Sequence, residues 1–286
     1  VTLIDIAIPT ISFLALAAVG MDLTPAHFRR LRDRPAIVTA GLLAPLVILP
    51  VLALGMLALF EPSPDVAAGI LLVASCPIGG ISNTYSYLAR ASTALSVTLT
   101  TLSCVLAVLT IPVTSSAFEW VLQRRLGFSA PASLLGQLLL MVLLPVLAGM
   151  WLRYRWPAVA VERRNGVQRS AFVALAVLLA LIITNDPDAF AAGLTETIPL
   201  AVIFVAASFA TGWFVGRTLG ATRSEGFTLA AEFATRNIAV AAAIAVTLLE
   251  QPAFAIFAAT YFLTELPLML VAVAAYRAHV GVVEPA

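Results

Sequence analysis

Apolar runs of about twenty residues follow one another along this chain, separated by short polar breaks. They cover roughly residues 4–22, 36–60, 66–89, 93–118, 132–152, 168–185, 196–219, 225–249 and 252–277. An α-helix of about 20 apolar residues crosses the hydrocarbon core of a bilayer. The pattern therefore predicts an all-α membrane protein with nine transmembrane helices. The breaks carry turn chemistry, as in Glu61-Pro62-Ser63-Pro64-Asp65 and Asn185-Asp186-Pro187-Asp188. The third and fourth runs are the least separated, with only Ala89 to Ser92 between them. No polar stretch is long enough for a soluble domain, so residues 1–286 read as one transmembrane unit.

Composition narrows the class. Of the 286 residues 61% are hydrophobic and 11% charged, and the mean hydropathy is +1.03. Soluble domains are about 25% charged, so a soluble or a disordered chain is excluded. All 16 basic residues are Arg. Cytoplasmic loops collect such charge. With the N-terminus outside, Arg29, Arg30, Arg32 and Arg34 fall in the first inner loop and Arg90 in the second. Arg153, Arg155, Arg163, Arg164 and Arg169 fall in the third, Arg217 and Arg223 in the fourth, and Arg277 in the inner tail. Only Arg124 and Arg125 face outward. The expectation is a multi-pass protein of the cell membrane with a cytoplasmic C-terminus. No cleavable signal is expected, because Val1 to Gly20 lacks a basic n-region. The net charge of +1 leaves no basic surface for nucleic acid. Cys76 and Cys104 lie in apolar runs and read as small hydrophobes rather than a disulfide framework.

Three runs contain polar groups that a plain membrane helix lacks. The third holds Cys76-Pro77-Ile78-Gly79-Gly80-Ile81-Ser82-Asn83-Thr84. Pro removes a donor and Gly weakens the helix, so this segment reads as a broken helix lining a site, or as a kink bonded to a neighbour. The fourth places Ser96, Thr100 and Ser103 on one helix face, which suits either a site or bonding to the helix's own carbonyls. The eighth holds Glu232 and Arg236 at mid-span. A charge at that depth costs roughly 2.5 to 3.5 kcal/mol on insertion scales and persists by pairing or by acting. The i, i+4 spacing allows a closed ion pair. No Gly or Pro occurs from Phe227 to Glu250, so spacing shows no break there. Glu265, in the ninth run, is a further acid between Tyr261 and Pro267, and it suits either a site or pairing with a Tyr or Thr hydroxyl near an interface.

Taken in order, these segments resemble the bile acid:sodium symporter family. The resemblance rests on Gly20-Met21-Asp22-Leu23-Thr24-Pro25, on Cys76 to Asn83 followed by Tyr87-Leu88-Ala89-Arg90, on Ala94 to Thr100, on Met141-Val142-Leu143-Leu144-Pro145 and on Glu232 to Asn237. It implies inverted-topology repeats. It also implies panel helices (roughly 4–60 in part and 132–185) and core helices (roughly 36–118 and 196–277). The third and eighth spans would be discontinuous and cross near the midplane, the usual place for ions and substrate in such carriers. It further implies a sodium site formed by Ser82, Asn83, Ser96, Thr100 and Glu232. A hard cation takes several oxygens, and one carboxylate supplies the charge.

The chain departs from the family at a second sodium site, where Pro45 and Arg236 replace two Gln residues, and on the last helix, where Glu265 and Leu266 replace a His-Asn pair. Arg236, always charged and donor-only, is expected to stand in for the second ion, with Asn237 and Glu265 in the substrate or fixed-charge set. The expected function is secondary transport of a small organic anion by alternating access, coupled to one sodium ion. The alternatives are a proton-coupled or uncoupled carrier, and an efflux carrier for a metalloid or other solute using Cys76 or Cys104. An enzyme is not expected, since the chain has no HExxH, no GxSxG and no paired intramembrane aspartates.

Overall fold

In lipid a backbone must satisfy its own polar groups, and helices do so locally. The computed structural model describes residues 34–122, 139–160 and 187–281 without a break, together with 10, 13, 14, 16–21, 136 and scattered positions from 162 to 184. Most of the predicted 4–22 and 168–185 spans and the loops over 22–33 and 123–135 lie outside the described residues. Among the described residues the regular structure is helical.

Among the described residues four helices are long and apolar enough to cross a membrane. They are α1 (Pro35–Phe60), α4 (Thr93–Leu122), α6 (Pro187–Thr218) and α9 (Phe254–Gly281). α1 opens on Pro35, whose missing N–H costs nothing in a first turn. α5 (Leu144–Arg155) follows a π-helical turn over Leu139–Leu143. α6 begins nine residues before the apolar run at 196, because Pro187 is a good helix start and the polar Thr195-Glu196 pair ends hydropathy without ending the helix.

The third and eighth runs are each split. The third becomes α2 (Pro64–Ser75) and α3 (Ser82–Leu88). The eighth becomes α7 (Arg223–Ala234) and α8 (Ile238–Ala243), which continues as a π-helical turn over Ile244–Leu248. α2 stops where Pro77 pushes the preceding Cys76 into extended conformation, φ −69° and ψ 153°. α7 stops without Gly or Pro. Thr235 is extended at φ −107° and ψ 116°, and Asn237 caps α8 by accepting the Val240 N–H at 3.2 Å.

The two breaks cross and pair. Ile78 and Arg236 form an isolated antiparallel bridge. Gly79 N–H donates to Thr235 O at 3.2 Å, and Asn237 N–H donates to Pro77 O at 2.8 Å. A Cβ at Gly79 would lie 2.5 Å from the Arg236 carbonyl oxygen, so the strands approach this closely only without a side chain there.

Opposite ends of the bundle are tied by carboxylates. Glu225, in the capping box that starts α7, accepts from Arg34 at 2.7 Å, which places the beginnings of α1 and α7 at one end. At the other end Glu196 accepts from the Ser63 N–H and hydroxyl, at 2.5 and 2.9 Å. The buried aromatic rings of Phe204, Phe227, Phe257 and Tyr261 fill the space around α6, α7 and α9.

Gly79→Ala is expected to lower stability by about 1–3 kcal/mol, because the added methyl meets backbone rather than a movable side chain. A thermal melt of the purified protein in detergent checks this, and an unchanged melting temperature contradicts the close crossing.

Candidate functional site

The crossing frees backbone groups that continuous helices would satisfy, and side chains take them up. Arg236 Nη2 donates to Cys76 O. Tyr261 Oη donates to Ala234 O at 2.5 Å, and Ile78 N–H donates to Ser103 Oγ at 3.1 Å. Ser103 in turn donates to Thr100 O at 2.8 Å, so this third polar residue of the α4 face serves the break. The Cys104 thiol points at Ile78 O, and Cys76 and Cys104 are both buried and free.

Beside the crossing, side chains from three elements meet. Ser82 and Asn83 come from the start of α3, Ser96 and Thr100 from α4, and Glu232 from the last turn of α7. All five are buried. The Ser96 hydroxyl donates to Glu232 Oε1 and lies 2.8 Å from Asn83 Oδ1. The Thr100 hydroxyl lies 3.0 Å from Glu232 Oε2 and 3.4 Å from Asn83 Oδ1. Ser82 Oγ and Thr100 Oγ1 are 3.1 Å apart. Each hydroxyl has one proton. Ser96 and Thr100 each face two acceptors with that one proton, so oxygens outnumber protons. A group of oxygens short of protons around one carboxylate is the donor set a small hard cation takes.

Glu232 and Arg236 do not form the ion pair that i, i+4 spacing allows: among the described residues the ion pair is Arg34–Glu225. That spacing brings side chains together only on a continuous helix, and α7 ends at Ala234. Arg236 lies within the break and points away, into a small, mostly apolar cavity. Leu42, Pro45 and Leu46 of α1 line it, with Ser103 and Leu106 of α4. Its Nε and Nη1 have no hydrogen-bond partner. Pro45 and Arg236 thus border one space. Asn237 is the α8 cap, and Glu265 lies apart from the five-residue cluster, buried in α9.

Sequence reasoning missed Tyr85 and Thr235. Both are buried beside Glu265 with no hydrogen-bond partner. A Tyr one turn after Ser82 and a Thr next to Arg236 are unremarkable in a sequence, and only the fold brings them to a carboxylate.

A family model described as the Sodium Bile acid symporter family matches residues 9–192. The chain is 35% identical over 142 residues to the "Uncharacterized sodium-dependent transporter YocS" of Bacillus subtilis (strain 168), a match over 48% of this chain and 42% of that one. It is 28% identical over 226 residues to the "Probable sodium/metabolite cotransporter BASS1, chloroplastic" of Arabidopsis thaliana, over 78% and 55% of the two chains. It is 29% identical over 132 residues to the human "Sodium-dependent organic anion transporter", over 46% and 34%. The matched part spans about half or less of these relatives' lengths.

Tyr261→Phe removes the donor to Ala234 O while keeping the ring. It is expected to cost about 1–3 kcal/mol, the penalty for leaving a buried acceptor unmet. The melting temperature in detergent reads the loss, and a neutral result means that the carbonyl finds another donor.

Proposed function

Because the chain belongs to the sodium bile acid symporter family, we propose that it is a secondary transporter that carries a small organic anion together with one sodium ion. The relatives named above are sodium-dependent transporters or probable sodium cotransporters, which supports the coupling ion. The observation that carries the reading is the proton-poor oxygen cluster of Ser82, Asn83, Ser96, Thr100 and Glu232. Sodium as co-substrate supplies there the positive charge that the hydroxyl protons do not. It also ties α3, α4 and α7 together on one side of the crossing.

Arg236 stands in for a second sodium ion. The support is that its guanidinium shares one cavity with Pro45, which offers no side-chain oxygen. A fixed cation cannot leave with the cargo, so the cargo is one sodium ion and one monoanion, and their transfer moves no net charge. The free Nε–H and Nη1–H groups suit a carboxylate or sulfonate, which Arg binds through parallel hydrogen bonds. Asn237 lies next in the chain at the same crossing.

The cycle is alternating access. The core helices around the crossing move against the panel helices, and the site faces each side in turn. Sodium and substrate are coupled because each stabilises the same conformational state. The Arg-rich loops lie in the cytoplasm, with the N-terminus outside. The shared end of α1 and α7, where Arg34 lies, supports that placement, because Arg217 and Arg223 border a groove there too.

Detergent-purified protein melted in sodium chloride and in choline chloride tests the ion site. Sodium at ten times its dissociation constant is expected to add about 1.4 kcal/mol of stability. Glu232→Gln is expected to remove the part of that gain that the five-residue cluster supplies. Wild type melting alike in both salts sinks the sodium reading.

The stand-in role of Arg236 has its own test. The double change Pro45→Gln with Arg236→Gln rebuilds two oxygens at the cavity. The sodium titration of stability is expected to change from single-site to a steeper two-site response. A titration that stays single-site counts against the fixed-charge assignment.

A further inference from the structure

The proposed mechanism leaves one buried acid at the crossing unused. Glu265, in α9, is fully buried, and neither oxygen of its carboxyl group has a hydrogen-bond partner. The Tyr85 phenol of α3 and the Thr235 hydroxyl of the α7–α8 break face it. Tyr85 Oη and Thr235 Oγ1 are themselves buried and unpartnered. Four buried oxygens from three elements therefore gather here, each without a hydrogen-bond partner. Buried polar groups are nearly always satisfied, and an uncompensated buried carboxylate is strongly destabilising.

The nearest cation, Arg236, acts on Glu265 only at a distance and forms no ion pair with it. Arg236 follows Thr235, but Thr235 is extended, and neighbours in an extended segment send their side chains to opposite sides. Thr235 faces Glu265, while Arg236 reaches Cys76 O and the cavity beside Pro45. Tyr261, one turn before Glu265 in α9, gives its proton to Ala234 O. The other elements packed on α9 add little. α2 carries only Asp65, in its first turn. α6 carries Asp188 near its start, Glu196, which is bonded to Ser63, and Arg217 in its last turn. α8 and its π-helical turn carry no ionisable group. α7 brings Glu232, held by Ser96 and Thr100, with Arg223 and Glu225 at its far end.

We propose that Glu265, Tyr85 and Thr235 form a second site for a monovalent cation, separate from the Ser82–Glu232 cluster and filled by a sodium ion or a proton. This goes beyond the one-sodium reading, and it stands whether or not the first cluster binds sodium. A cation that travels from this site adds one positive charge to the cargo, so transport of a monoanion becomes electrogenic.

The test is the melting temperature of the purified full chain in sodium chloride and in choline chloride, at acidic, neutral and alkaline pH. The proteins are wild type, E232Q, E265Q and the double variant. If sodium fills the site, E232Q keeps a sodium-dependent upward shift that the double variant loses. If a proton fills it, E232Q melts alike in both salts, its melting temperature in choline falls as the pH rises, and adding E265Q flattens that fall. The proposal is overturned if E265Q matches wild type, and the double variant matches E232Q, in both responses. Glu265→Asp is the second variant. It keeps the carboxylate but withdraws it by one methylene from Tyr85 and Thr235, so the midpoint of the sodium or pH response is expected to move. An unchanged midpoint in E265D overturns the proposal even if E265Q does not fold. Failure of the first sodium site is read separately, as the absence of any difference between wild type and E232Q in sodium.

Discussion

Two short extended segments, each interrupting a helix, hold one another by backbone hydrogen bonds, and the buried ionisable groups Glu232, Arg236 and Glu265 are arranged around that contact. A broken helix in lipid is viable only if its freed donors and acceptors are met inside the protein. The bonds Gly79 to Thr235 and Asn237 to Pro77 meet part of the need across the crossing. Tyr261, Ser103 and Arg236 meet part of the remainder. The side chains that surround the crossing are therefore structural before they are functional: they allow an unwound backbone to exist at that depth.

The crossing also sorts the buried charges. Glu232 sits in the last turn of α7, within reach of hydroxyls on α4, and those hydroxyls give its two oxygens separate donors. Arg236 lies only four residues on, yet the extended geometry after Ala234 turns it the other way. Glu265 arrives from α9 on a further side. Three ionisable groups this close along the chain and in space would pair in an unbroken bundle. Here the unwound segment lies between them and keeps two carboxyl groups and a guanidinium apart.

That separation connects the fold to transport. A cation held by residues from α3, α4 and α7 stabilises the arrangement in which those elements meet, and loses its hold when they move apart. Ion binding and conformational change are then one equilibrium. In its proposed role, the Arg236 guanidinium would replace a second ion, remove one such term from the equilibrium and leave a permanent charge for an anion.

Much was legible in the sequence, for identifiable reasons. The apolar runs specify helices because hydropathy and length alone decide what can cross a bilayer. The break after Ser75 was readable from Pro77 and the Gly79-Gly80 pair, because those residues act locally on the backbone. Ser82, Asn83, Ser96, Thr100 and Glu232 stood out because polar atoms are expensive at mid-span, and the structure brings all five together. The break after Ala234 was not readable from spacing. No residue there forbids a helix, and the partner that stabilises the extended form lies some 160 residues earlier in the chain. For the same reason the sequence left open whether Glu232 and Arg236 pair, since i, i+4 spacing has meaning only on a continuous helix. Tyr85 and Thr235 became neighbours of Glu265 only in three dimensions. The sequence by itself determined which segments enter the membrane and which polar groups go with them. Tertiary structure decided which of those groups meet, because long-range backbone pairing, and not local preference, sets the direction of each side chain at the crossing.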